Sequence, residues 1–335
     1  MSRKTHVSVI GGGSWGTTVA SLAARNAPTL LWTRRPEIAE EVERDHINSA
    51  YLPGETLDSE LHATADLEEA ASTADVIVMG VPSHGFREVL EQAAPHIRPW
   101  VPIVSLTKGL EQKTHKRMTE VIEDVLPGHP AGVLAGPNLA REIVQGYAAA
   151  AVVATPEERV GRGLQRIFSR TVFRVYASTD VVGVEVAGAL KNVFAISAGM
   201  AAGLGTGDNT RALVIARALA EMTRLGEAMG GDRHTFAGLA GMGDLLATCI
   251  SPLSRNRHVG EELAKGRTIE EITAEMNMVA EGIKTSRVVM ELAERHDVEM
   301  PIASEVYAVL NEGRPASEAF RGLLRTEPTT ELAAN

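Results

Sequence analysis

Six residues near the amino terminus, Gly11-Gly12-Gly13-Ser14-Trp15-Gly16, restrict what this chain can fold into more than any other stretch. They follow a β-branched run, Thr5–Ile10, and lead into a segment of helical character, Thr17–Asn26, with a second strand-like run, Thr29–Thr33, behind it. A G-x-G-x-x-G pattern means little alone; between a strand and a helix it describes the turn that holds a dinucleotide pyrophosphate. Gly11 admits the tight turn, Gly13 lets backbone N–H groups approach the phosphates, and Gly16 lets helix and strand pack closely. The positive end of the helix dipole then faces the anion. Trp15 either walls the cofactor or packs against the sheet.

The end of the second strand distinguishes the two nicotinamide cofactors. An NAD-selective site carries Asp or Glu there to accept hydrogen bonds from the ribose 2′-OH. This chain reads Leu31-Trp32-Thr33-Arg34-Arg35 instead, two guanidiniums and no acid. Arg34 and Arg35 would attract a 2′-phosphate, so NADPH is the expected cofactor, with NAD as a further one. Solvated turn arginines are the plainer alternative.

Further strand candidates alternate with helical segments through the first half: Asp75–Gly80, Ile103–Leu106, Gly132–Ala135, Ala149–Thr155 and Val172–Ala177, against Pro36–Arg44, His84–Ala94, Thr114–Val125 and Pro156–Phe168. That alternation predicts a Rossmann-type, doubly wound, mostly parallel α/β sheet. Past Ser178 the strand signal stops. Six helical segments follow, Asp180–Ala202, Asn209–Met229, Leu253–Lys265, Ile269–Glu275, Lys284–His296 and Pro301–Glu312. At ~100–200 residues per domain, the 335 residues suggest two domains, 1–179 for the dinucleotide and 180–335 all-helical for substrate and catalysis.

Formal net charge is −10, which disfavours nucleic acid and anionic membranes as partners, since both require a basic surface. No uninterrupted apolar run approaches the ~20 residues of a membrane span. The lone cysteine, Cys249, excludes an intrachain disulfide and reads as a small buried residue. With no room for a secretory signal before Thr5, the expected compartment is the cytoplasm. No cluster has metal-ligand spacing, so no metal is expected.

In an open parallel sheet, ligands sit beyond the carboxyl ends of the strands. Three such ends are rich in turn formers: Gly80-Val81-Pro82-Ser83-His84, Leu106-Thr107-Lys108-Gly109-Leu110 and Ala135-Gly136-Pro137-Asn138-Leu139-Ala140. Lys108 is the cation among these tips, and His84 reads as a surface position at a helix start. In the helical half, Lys191-Asn192 interrupts an otherwise apolar helix, Val182–Leu204. A buried ammonium needs a partner or a task; desolvation lowers its pKa toward the range useful for proton transfer. Pairing with Glu185, or reaching out to water, is the alternative. Asp244, in Gly241-Met242-Gly243-Asp244, reads either as a helix N-cap or as the partner of a lysine. Ser254-Arg255-Asn256 offers a donor set suited to phosphate.

Taken together, G-G-G-S-W-G at 11–16, V-P-S-H at 81–84, T-K-G-L at 107–110, G-P-N-L-A at 136–140, A-L-K-N at 189–192, G-D-L at 243–245, S-R-N at 254–256 and V-A-E-G at 279–282 resemble the bacterial NAD(P)-dependent sn-glycerol-3-phosphate dehydrogenases, over nearly the whole chain. The resemblance implies reversible reduction of dihydroxyacetone phosphate to sn-glycerol 3-phosphate, which supplies glycerophospholipid synthesis. It implies cofactor contacts at Ser14, Trp15, Arg34, Arg35, Ala140, Val279 and Glu281, with Lys108 and Arg255 shared between cofactor and substrate. It implies substrate contacts at Gly136, Asn138, Asn192, Asp244, Ser254 and Asn256. Lys191 falls on the family's proton acceptor and donor, assisted by Lys108 and Asp244. Asn138 stands where many relatives carry Ser or Thr. The resemblance leaves room for a homodimer, while the sequence itself fixes no oligomeric state. Two other readings stay open: a similar dehydrogenase acting on a hydroxy acid or sugar phosphate, and an NADPH-binding protein without turnover.

Overall fold

Apolar residues two apart along each strand candidate must face the same side of a sheet. In the computed structural model, which describes residues 4–276 and 280–319, both faces are covered, so the strands read as nearly continuous apolar runs. Eight strands form one sheet: β1 (Val7–Ile10), β2 (Thr29–Trp32), β3 (Leu61–Thr64), β4 (Val76–Met79), β5 (Ile103–Ser105), β6 (Ala131–Ala135), β7 (Ala149–Ala154) and β8 (Phe173–Ser178). Their order is β3-β2-β1-β4-β5-β6-β7-β8, and every neighbouring pair is parallel except β6 with β7. The chain reverses its direction of travel across the sheet between β1 and β4, the switch point at which such sheets open a ligand crevice.

Seven helices accompany the sheet: α1 (Ser14–Ala24), α2 (Pro36–Asp45), α3 (Leu67–Thr73), α4 (Ser83–Ala93), α5 (Met118–Val125), α6 (Ala140–Val144) and α7 (Glu158–Phe168). Val7, Val9, Val76 and Val78 pack into one core cluster with Val19 and Phe168, while Ile10, Ile77 and Met79 pack into the other with Phe86 and Leu90. Each such side chain contributes about 1.5–3 kcal/mol on full burial.

Eight helices complete the described chain: α8 (Val181–Gly203), α9 (Asp208–Ala228), α10 (Arg233–Ala237), α11 (Asp244–Ile250), α12 (Arg255–Ala264), α13 (Ile269–Glu275), α14 (Glu281–Arg295) and α15 (Pro301–Asn311). Helix α8 is long and apolar enough to cross a membrane by composition, but 89% of that window is buried inside the protein, which makes it a core helix. Glycine permits its close approach to α12: a Cβ on Gly199 would lie 2.0 Å from the Arg257 carbonyl oxygen, and one on Gly260 2.0 Å from that of Ile196.

The chain divides into two compact units, residues up to Thr107 with Lys116–Val181, and Lys108–His115 with the residues from Val182 onward. A linear division at 179/180 therefore misplaces Lys108–His115. Leu110, buried within the helical core cluster, explains why this segment belongs there. The same segment corrects the helix expected at Thr114–Val125. His115 takes φ of 60°, incompatible with a continuous right-handed helix, and α5 begins only at Met118. Strand β3 and helices α3, α6 and α10 were not expected from the sequence. Strand β3 pairs with β2 alone and buries only Leu61 fully, too little apolar content to stand out.

Candidate active site

In the first unit the glycine turn has the geometry its sequence demands. Gly11 sits at φ of 126°, and a Cβ there would come within 2.6 Å of the Gly80 carbonyl oxygen at the end of β4. One on Gly16 would approach the Gly11 carbonyl oxygen to 2.0 Å. Gly13 differs, since a Cβ there would meet nothing within 4 Å. Gly13 is the N-cap of α1, with no side chain capping the helix, so the leading N–H groups near Ser14 and Trp15 are left for an incoming anion. An open approach at Gly13 above an uncapped helix start fits a dinucleotide pyrophosphate.

At the end of β2, Arg34 and Arg35 are both exposed. Arg34 has no ion pair among the described residues. Arg35 lies over the Tyr51 ring, 5.1 Å from its centroid, and 3.8 Å from the exposed Glu37 carboxylate. Trp15 meets Phe173 edge-on at 6.2 Å, while its buried indole Nε1 has no hydrogen-bond partner among the described residues. Trp15 therefore packs against β8 along one ring edge. Gly136 adopts φ of 144°; Asn138 donates from Nδ2 to the Ala150 carbonyl at 3.3 Å, and its buried Oδ1 has no hydrogen-bond partner among the described residues. Ala140 opens α6, and its carbonyl lies 3.5 Å from the Thr18 hydroxyl. His84 lies exposed in the first turn of α4.

In the second unit, one carboxylate gathers two ammonium groups. Asp244 is 1% exposed; its Oδ1 accepts from Lys191 Nζ, and its Oδ2 accepts from Lys108 Nζ at 2.7 Å. Lys191, 5% exposed in the middle of α8, also donates to Thr248 Oγ1 at 2.7 Å. Burial pushes the Lys191 pKa down to about 7, with the Lys108 charge acting in the same direction and Asp244 opposing both. Asp244 is not an N-cap: Gly243 holds that position, and Asp244 is the first residue of α11. A five-residue π-helical turn, Leu239–Gly243, delivers it there, with Gly243 N–H donating to the Gly238 carbonyl at 3.0 Å.

Thr248 is the member of this group that sequence reasoning missed. It lies one helical turn after Asp244, and that i, i+4 spacing is the signal that could have found it. Its hydroxyl donates to the Asp244 carbonyl at 2.6 Å, leaving the oxygen to accept from Lys191. Asp244 and Thr248 are the side chains that receive the Lys191 ammonium.

A second chain of amides supports the cluster. Asn192 Nδ2 donates to the Lys108 carbonyl at 2.9 Å, Asn256 Nδ2 donates to Asn192 Oδ1 at 3.0 Å, and Asn256 Oδ1 accepts from the Gly282 N–H at 3.0 Å. Ser254 is the N-cap of α12 and accepts from the Arg257 N–H at 3.3 Å. Arg255 is exposed at the first position of α12, within electrostatic reach of Glu281, the first residue of α14. Val279 lies outside the described residues. Cys249 is buried and its thiol is pushed up to about 12 by desolvation, so it is no nucleophile.

Known proteins resemble this chain along nearly its whole length. Residues 6–160 match the model for the NAD-dependent glycerol-3-phosphate dehydrogenase N-terminus, and residues 180–321 that for its C-terminus. An NAD(P)+ glycerol-3-phosphate dehydrogenase of Sphingopyxis alaskensis is 61% identical over 96% of this chain and 96% of its own. One of Mycobacterium avium is 59% identical over 98% of this chain and 97% of its own. The crystal structure of glycerol-3-phosphate dehydrogenase from Coxiella burnetii, 34% identical, superposes with a TM-score of 0.92 over 96% of this chain and 99% of that one. The chain belongs to the NAD-dependent glycerol-3-phosphate dehydrogenase family.

Proposed function

We propose that this chain catalyses the reversible NAD(P)H-dependent reduction of dihydroxyacetone phosphate to sn-glycerol 3-phosphate, feeding glycerophospholipid synthesis in the cytoplasm, with NADPH the preferred cofactor. The observation that carries the reading is the buried Lys191–Asp244–Lys108 group, in which burial lowers the Lys191 pKa to about 7. The first unit is the dinucleotide-binding part, with the turn from Gly11 to Gly16 at the pyrophosphate and Arg34 and Arg35 at the 2′-phosphate. The second unit is the substrate part.

Bound nicotinamide supplies the hydride that the ketone carbon receives. Lys191 gives a proton to the carbonyl oxygen and becomes the neutral amine, then recovers a proton from solvent; in oxidation the amine takes the hydroxyl proton. Its pKa near 7 allows either state at neutral pH. Lys108 keeps positive charge beside the reacting oxygen, and Asp244 holds both ammonium groups in place. Arg255, with Ser254 and Asn256, grips the substrate phosphate and holds the carbonyl in register. Gly136 and Asn138 contribute substrate contacts. Ala140, Val279 and Glu281 complete the cofactor contacts.

The test is a spectrophotometric assay of NADPH and NADH consumption with dihydroxyacetone phosphate. The reading expects turnover with dihydroxyacetone phosphate and none with hydroxy-acid precursors lacking a phosphate. NADPH binding without its oxidation would overturn it.

A further inference from the structure

Asn48 belongs to no helix or strand, yet it is 0% exposed, and its amide uses both donor hydrogens and its oxygen in hydrogen bonds. Nδ2 donates to the Gly12 carbonyl at 3.0 Å and to Thr17 Oγ1 at 2.9 Å, and Oδ1 accepts from the Tyr51 N–H at 3.2 Å. The first bond grips the glycine turn at its centre and the second the first turn of α1. The third fixes the loop that places Tyr51 beneath Arg35.

The Gly12 bond sets the orientation of a whole peptide unit. In a trans peptide the carbonyl and the following N–H point in opposite directions. Anchoring the Gly12 carbonyl on Asn48 therefore directs the Gly13 N–H away from it, at the residue that faces open space. Thr33 closes the other side of Gly12, where a Cβ would come within 2.7 Å of the Thr33 Cβ. Gly12 is thus held between Asn48 and the end of β2, the strand that leads into Arg34 and Arg35.

We infer that Asn48 is a positioning residue for the cofactor, a buried brace that aims the glycine turn at the pyrophosphate and sets Arg35 in relation to it. It governs both dinucleotide affinity and discrimination between NADPH and NADH. The inference rests on the glycine turn being the dinucleotide site.

The test is Asn48→Ser, which can still accept from the Tyr51 N–H but is too short to reach Gly12, with Asn48→Asp as a near-isosteric variant lacking the donor. Dissociation constants for NADPH and NADH are measured by fluorescence titration without substrate, alongside kcat, KM and thermal melts. Loss of the brace is expected to raise the NADPH dissociation constant about tenfold in either variant and to lower the NADPH-to-NADH preference. The KM for dihydroxyacetone phosphate should stay within about twofold, because none of the three Asn48 partners, Gly12, Thr17 and Tyr51, is a substrate contact. Thr17→Val, which removes one acceptor and leaves the Gly12 bond, should bind NADPH within about twofold of wild type. Folded Asn48 variants with unchanged cofactor affinity would overturn the inference. A wild-type protein that binds neither cofactor would instead overturn the reading of the turn.

Discussion

Replacing Asp244 by Asn tests the electrostatics of the site, because the substitution keeps the shape and removes the charge that two ammonium groups share. Lys191 Nζ touches one Asp244 oxygen and Lys108 Nζ stands 2.7 Å from the other. At ~3 Å and an effective dielectric of ~20, one carboxylate charge is worth about 5 kcal/mol to its neighbour. Measured losses on breaking buried pairs run at about 3–5 kcal/mol. Even ~3 kcal/mol corresponds to roughly 2 pKa units, and the direction is downward, since burial and Lys108 both disfavour the charged form of Lys191. In the wild type, kcat/KM for reduction should therefore fall as pH rises through about 7, and that for oxidation should rise through the same inflection. In Asp244→Asn the inflection should move down by about 2 pH units. The assay is the pH dependence of kcat/KM in both directions, with thermal melts to confirm folding. An inflection unmoved in a folded variant would refute the reasoning.

Two further outcomes follow from other parts of the structure. Arg34→Asp combined with Arg35→Ala should raise the KM for NADPH far more than that for NADH, since neither guanidinium has a role toward an unphosphorylated ribose; equal effects would remove the assignment. Glu221, 2% exposed, accepts from the Ile302 and Ala303 N–H groups at 2.8 and 3.2 Å at the start of α15, and burial pushes its pKa up to about 7. A folded-state pKa above the unfolded one gives a contribution that is full below about 4.5 and lost as pH rises through about 7. Glu221→Gln should flatten that part of the stability curve by about 3 kcal/mol, read from melts between those two pH values. A slope equal to the wild type's would contradict it.

Much of this was legible in the residues themselves. The glycine turn declares itself because steric demands at Gly11 and Gly16 admit no other side chain. The buried ammonium was legible as well, since Lys191 breaks an apolar helix and a desolvated charge requires a reason. What the sequence hid were relations between distant segments. Nothing local to Lys108 shows that its strap folds with the helical unit, because that follows from Leu110 packing among residues far away in the chain. Asp244 was ambiguous for the same reason: an aspartate after a glycine turn looks like a cap until its carboxylate is seen to lie between two lysines. Asn48 gave no signal, as an Asn in a loop is ordinary and only its burial beneath Gly12 sets it apart.

The most direct test of the central claim is the turnover of Lys191→Met, a substitution that keeps the apolar stem and removes the ammonium. The account predicts that kcat for dihydroxyacetone phosphate reduction falls at least about a thousandfold while the NADPH dissociation constant stays within about threefold. Turnover near the wild-type rate would contradict it.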